Sequence, residues 1–185
     1  TKARFPAANV PRMPETVASD TLFSDTPALD DGVTGHGGCT MIQIFHGCES
    51  GLTEGIPMEK KSEFPKAFAD FIRRWGAPEH LFTDGALEEC SKAVTDLMRM
   101  YCIGRHFRSE PSHHNQNPAE RKIQDLKKMT NGIMDRTGSR ACEWLLCTLF
   151  VIGLFNVLAQ EGLKGMPPTQ KVTGRIPDVS PYLAF

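Results

Sequence analysis

Two carboxylates in this chain stand where a backbone would present them to a ligand. Asp84 closes the run Leu81-Phe82-Thr83-Asp84 and enters the Gly85-Ala86 turn, and the carboxyl ends of α/β strands are where ligands gather. Glu120 follows Asn117-Pro118-Ala119, and Pro118 suits the first turn of a helix, where its missing N–H matters least. At about 100° per residue, Gln124 and Lys127 fall within about 40° of Glu120, whereas Ile123, Leu126, Met129 and Ile133 cluster around roughly 240°. A carboxylate, an amide and an ammonium thus form a row on the side away from the apolar stripe. Such a row suits a phosphate-bearing ligand. It equally suits a solvated charged face with a helix-favouring acid in its first turn.

The elements that must position these groups are legible in outline. Residues 17–23, 39–45 and 52–58 are short β-favouring runs separated by Gly, Pro, Asp and Ser, the pattern of a three-stranded meander. Phe64, Phe68, Phe71, Ile72 and Trp75 make a helical stripe that stops at Gly76. After an expected break at Ala77-Pro78, residues 81–84 read as a strand. Val94, Leu97, Met98 and Tyr101 mark a second amphipathic helix, and another strand is expected within 105–109. A third helix starts at Asn117 or Pro118 and runs to about Asp135; a fourth covers 142–159. Trp75 and Tyr101 belong to these stripes and are expected in the core. Hairpin-linked strands followed by alternating helices and strands predict an α/β domain with a mixed sheet.

The chain has 185 residues, 40% of them hydrophobic and 23% charged, which suits one globular domain and excludes collagen-like or wholly disordered chains. Lys plus Arg number 21 and Asp plus Glu 22, a formal net charge of −1, so any polyanion-binding surface must be a local patch. The charge is uneven: residues 15–63 hold nine acids against two bases, and residues 117–140 hold six bases against three acids. Six cysteines without a C-x-x-C pair fit neither a disulfide framework nor a zinc finger and point to a reducing, intracellular setting. The apolar run 144–159 is shorter than the roughly 20 residues a membrane span needs, so a buried helix is expected and no membrane partner. The opening residues show no signal peptide, and the start without methionine reads as a fragment.

The strings LFTDGA at 81–86 and SEPSHHNQNPAERKIQDLKK at 109–128 resemble the integrase catalytic core of retroviruses and LTR retrotransposons, most closely the copia type. The family separates its strand-end Asp from its helix-start Glu by 35 residues, and 35 residues (85–119) lie between Asp84 and Glu120. The resemblance covers about residues 15–180. It implies an RNase H-like fold: a mixed five-stranded sheet, three antiparallel strands and then two parallel, flanked by helices. It also implies a linker from an upstream region at 1–14, the catalytic core at 15–160 and a truncated C-terminal extension at 161–185. The family's first Asp lies on the opening strand, where ETVASDTLFSD offers Asp20 and Asp25. Asp20 is favoured, because Thr21-Leu22-Phe23 after it matches the family's pattern better than Thr26-Pro27. The family's His/His/Cys/Cys zinc domain has no counterpart here, and no zinc site is expected. His113 and His114 fall in the loop before Glu120, where the family has a mobile active-site loop.

By this resemblance Asp20, Asp84 and Glu120 are the catalytic residues and hold two Mg²⁺ (or Mn²⁺) ions. All-oxygen ligands select such hard cations, which neutralise the mutual repulsion of gathered carboxylates. The implied activity is that of a DDE-type polynucleotidyl transferase, which trims the 3′ ends of element DNA and then joins them to target DNA. Lys127 and Gln124 would contact the DNA end; Arg121, Lys122 and Lys128 would add phosphate contacts; Asn115, Gln116 and Asn117 would position the strand. The implied partners are element-end DNA, target DNA and further copies of the chain, and the implied location is the nucleus, reached through a cytoplasmic particle. Another RNase H-like transposase or nuclease, or a catalytically inactive integrase-derived nucleic-acid-binding module, would share these features.

Overall fold

In the computed structural model, which describes residues 5–32, 35–83, 91–104, 107–108 and 117–183, the central strand is β1 (Arg12–Phe23). On one side it pairs antiparallel with β2 (Met41–Gly47), which pairs antiparallel with β3 (Thr53–Met58). On the other it pairs parallel with β4 (Ala77–Thr83), with Val17 opposite Leu81 and Ala18 opposite Phe82. These four strands form a mixed sheet, as expected. Of the fifth expected strand the described residues show a two-residue ladder, β5 (Phe107–Arg108), parallel to β4, giving the order β3-β2-β1-β4-β5.

The largest boundary differences from the sequence reading are at the starts of β1 and β4. β1 begins at Arg12 rather than at 17, and buries Met13 and Glu15. A register shift between Met13 and Thr16 lets Pro14 sit within the strand, because a bulge leaves a residue out of the hydrogen-bonded ladder. Pro78 pairs with Met13 just before this shift, as the second residue of β4, so Ala77-Pro78 opens the strand instead of breaking the chain. The turn into β4 is made by Gly76, whose N–H closes the preceding helix on the Ile72 carbonyl at φ 112°. A Cβ there would lie 2.7 Å from the Pro11 carbonyl oxygen, so only glycine fits.

Period-two alternation along β1 and β2 sends side chains to two helical layers. Val17, Phe45 and Leu81 meet α1 (Phe64–Trp75) and α2 (Lys92–Met100) in one core, where the Phe45 ring lies 4.8 Å from Phe71 and 5.9 Å from Phe68. Trp75 and Tyr101 pack against this core, as their stripes require. Leu22, Ile42 and Ile44 meet α3 (Pro118–Thr137) and α4 (Trp144–Val157) in the other. α3 is buried along Ile123, Leu126 and Thr130, with Met129 and Ile133 partly buried, the stripe set by its 3.6-residue period.

α4 is apolar all round. It buries Trp144, Leu145, Val151 and Ile152 and exposes Leu146 and Phe150. Buried Asn156 ties it to the outer strand: its Oδ1 accepts from Thr53 N at 2.9 Å and its Nδ2 donates to Thr53 O at 2.6 Å. Beyond it, Val172 of α5 (Pro168–Thr173) packs against the first core, and Tyr182 of α6 (Ser180–Leu183) sets its ring 5.6 Å from Phe150. No helix among the described residues is long and apolar enough to cross a membrane.

Candidate active site

Asp20 lies on β1 opposite Ile44 and shares the parity of Leu22, and both Ile44 and Leu22 belong to the core under α3 and α4. Its carboxylate therefore belongs to the sheet face that carries α3. It is half-buried, and Oδ1 accepts from Thr21 N at 2.7 Å. Asp25, the other opening-strand candidate, is exposed on a bend beyond the end of β1. Of the two, Asp20 alone lies within β1.

Glu120 sits in the first turn of α3 and is half-buried. That turn is anchored by Asn117, whose Oδ1 accepts from Ala119 N at 3.0 Å, an N-cap of the usual kind. The Asn117 Nδ2 donates to the carbonyl of Ser19 at 3.2 Å. The helix start that carries Glu120 is thus bonded to the peptide that leads into Asp20. Asn117, expected to position a DNA strand, is only 4% exposed with both ends of its amide engaged. Its observed role is to join α3 to β1.

Asp84 lies outside the described residues, as do His113, His114, Asn115 and Gln116. The parallel register pairs Val17 with Leu81 and Ala18 with Phe82, so the described part of β4 runs beside the segment of β1 that leads into Asp20. Among the described residues, which do not include Asp84, no cluster of three or more His, Cys, Asp or Glu could hold a metal ion. The donors that are described, the Asp20 and Glu120 carboxylates, are hard oxygens of the kind that Mg²⁺ and Mn²⁺ prefer.

Arg121, Gln124, Lys127 and Lys128 are all exposed along α3, and none of the ion pairs among the described residues engages Arg121, Lys127 or Lys128. Lys122 departs from expectation. Its Nζ lies 3.6 Å from the centroid of the Phe155 ring, and burial lowers its pKa from the usual lysine value. The helical wheel explains this: Lys122 lies about 200° from Glu120, on the apolar side, so its stem packs and its ammonium sits on an aromatic face.

A cleft of about 560 Å³ opens beside the first turn of α3, lined among others by His46, Glu49, Arg121, Lys122 and Asp125. His46 Nδ1 lies 3.0 Å from Thr53 Oγ1. Burial, and after it the charge of Lys122, push its pKa down to about 4, so it is neutral at pH 7. Sequence reasoning missed His46, Ser19 and Gln43. The available signal was a polar residue interrupting an apolar strand run, as Gln43 does in Met41-Ile42-Gln43-Ile44-Phe45.

The described residues share their fold with solved integrase cores. The HTLV-2 integrase catalytic core domain in complex with magnesium, trimeric form, matches with a TM-score of 0.60 at 16% identity, over 92% of this chain and 99% of that one. Its dimeric form matches with a TM-score of 0.59 at 16% identity, over 94% of this chain and 100% of that one. The fold is that of these integrase catalytic core domains. No family model matches the sequence, and no curated protein does.

Proposed function

We propose that this chain is the catalytic core of a copia-type retrotransposon integrase, a polynucleotidyl transferase that processes the 3′ ends of element DNA and joins them to target DNA. The observation that carries the reading is the Asn117–Ser19 bond, which keys the Glu120-bearing turn to the Asp20-bearing strand on an integrase-core fold. In this reading Asp84, the residue after Thr83 in the sequence, completes the set with Asp20 and Glu120.

These three carboxylates would hold two Mg²⁺ or Mn²⁺ ions. When bound, such ions activate the attacking oxygen and stabilise the leaving oxygen of an in-line phosphoryl displacement. The chain's own part is to present oxygen donors from three elements at one end of the sheet. Lys127 and Gln124, on the Glu120 side of α3, would hold the DNA end, while Arg121 and Lys128 would add phosphate contacts without reading sequence. Self-association is supported by the exposed Leu146 and Phe150 of α4; the HTLV-2 cores exist in dimeric and trimeric forms. A nuclear site of action follows from the same reading, since the target is chromosomal DNA.

The test is calorimetric Mg²⁺ titration of wild type and Asp84→Asn, paired with a joining assay on element-end oligonucleotides. Uptake that Asp84→Asn abolishes, together with joined products, is expected. Hydrolysis without joining would point instead to a nuclease, and absence of uptake by wild type would remove the enzymatic reading.

A further inference from the structure

We infer that Gln43 and Asn117 are positioning residues that clamp Asp20 from both neighbouring elements, an inference that rests on the functional reading above. Three buried polar side chains converge on the residues flanking Asp20. Ser19 is 0% exposed, Gln43 1% and Asn117 4%. The Gln43 amide straddles Asp20 from β2: its Nε2 donates to Ser19 Oγ at 2.7 Å and its Oε1 accepts from Thr21 Oγ1 at 2.8 Å. Thr21 N donates to the Asp20 carboxylate. From the helix side, Asn117 holds the Ser19 carbonyl.

An apolar residue at position 43 would extend the run Ile42-x-Ile44-Phe45 without the desolvation cost of a buried amide. The amide stands where its two ends reach the two neighbours of one carboxylate. Because Ser19 and Thr21 point to the face opposite Asp20, the clamp grips the strand from behind, on the face away from α3. Asn117 then ties the Glu120-bearing turn to the same peptide, so this hydrogen bond adds to the packing of α3 on the sheet in setting the separation of two proposed metal ligands. Residues behind a metal's ligands change its affinity by about 10- to 100-fold when altered.

The experiment uses the full chain with two substitutions that act on different arms. Asn117→Asp keeps the cap acceptor for Ala119 N and loses the donor to Ser19. Gln43→Met conserves volume and loses both hydroxyl bonds. Each is expected to unfold cooperatively, to bind Mg²⁺ about tenfold more weakly by calorimetry, and to lower the joining turnover more than it raises the KM for DNA. Without metal, hydrogen exchange at the Asp20 and Thr21 amides is expected to quicken in both. Asn117→Ser, which also caps but adds no charge, should follow Asn117→Asp. Wild-type Mg²⁺ affinity and wild-type exchange in these variants would overturn the clamp alone; a wild type that takes up no Mg²⁺ would overturn the functional reading beneath it.

Discussion

At the scale of single residues, position on the sheet separates acids that look alike in the chain. Asp20→Asn is expected to abolish Mg²⁺ uptake and DNA joining, and Asp25→Asn, on its exposed bend, to leave both near wild type; the reverse result would move the first ligand to Asp25. Glu120→Gln should stop joining with the melting curve unchanged, because Glu120 stands off the apolar stripe of α3; loss of cooperativity would make it structural. Exposed Lys127 and stacked Lys122 divide in the same way. Lys127→Ala should reduce the slope of log affinity against log salt by about 1 in a DNA-binding titration. Lys122→Met, which keeps the packed stem over Phe155, should leave that slope alone.

At the scale of elements, two attachments hold the frame. Asn156 gives both amide ends to the backbone of Thr53, linking α4 to the sheet. Asn156→Ala leaves a buried N–H and carbonyl without those partners and should cost about 2 to 3 kcal/mol in a denaturant titration; a loss below about 0.5 kcal/mol would mean the link is dispensable. Two helix bounds were readable from local signals to within a residue: α1 ends at Trp75 because Gly76 follows, and α3 starts at Pro118 because Asn117 caps it. The start of β4 was not readable, because Ala77 and Pro78 enter the sheet through their pairing with Arg12 and Met13, residues of a strand more than sixty positions away.

Across the whole molecule, the buried imidazole of His46 couples stability to pH. Its folded pKa, about 4, lies below the ordinary 6.5. Between these values the unfolded chain binds more protons, so stability rises with pH through that window and is lost as pH falls from about 6.5 toward 4. The contribution is at most about 3 kcal/mol. Urea titrations from pH 7.5 to 4.5 should show His46→Gln losing less stability than wild type on acidification; parallel curves would remove His46 as the cause. The free thiols of Cys39 and Cys48, both raised above the ordinary cysteine value by burial, remain protonated across this range and add nothing to the slope.

Local sequence signals were enough to nominate the candidate ligands, to end α1 at Gly76, to start α3 within a residue of Pro118 and to find the greasy side of α3, because caps and 3.6-residue periodicity act over a few neighbours. It took the assembled fold to turn Asp20 toward α3 while leaving Asp25 beyond the strand, to lay Lys122 over Phe155, and to gather Gln43 and Asn117 on Ser19, next to Asp20. These depend on strand register and on contacts spanning up to 98 positions. A one-residue slip in register turns every side chain of a strand to its other face, and no local pattern encodes that choice.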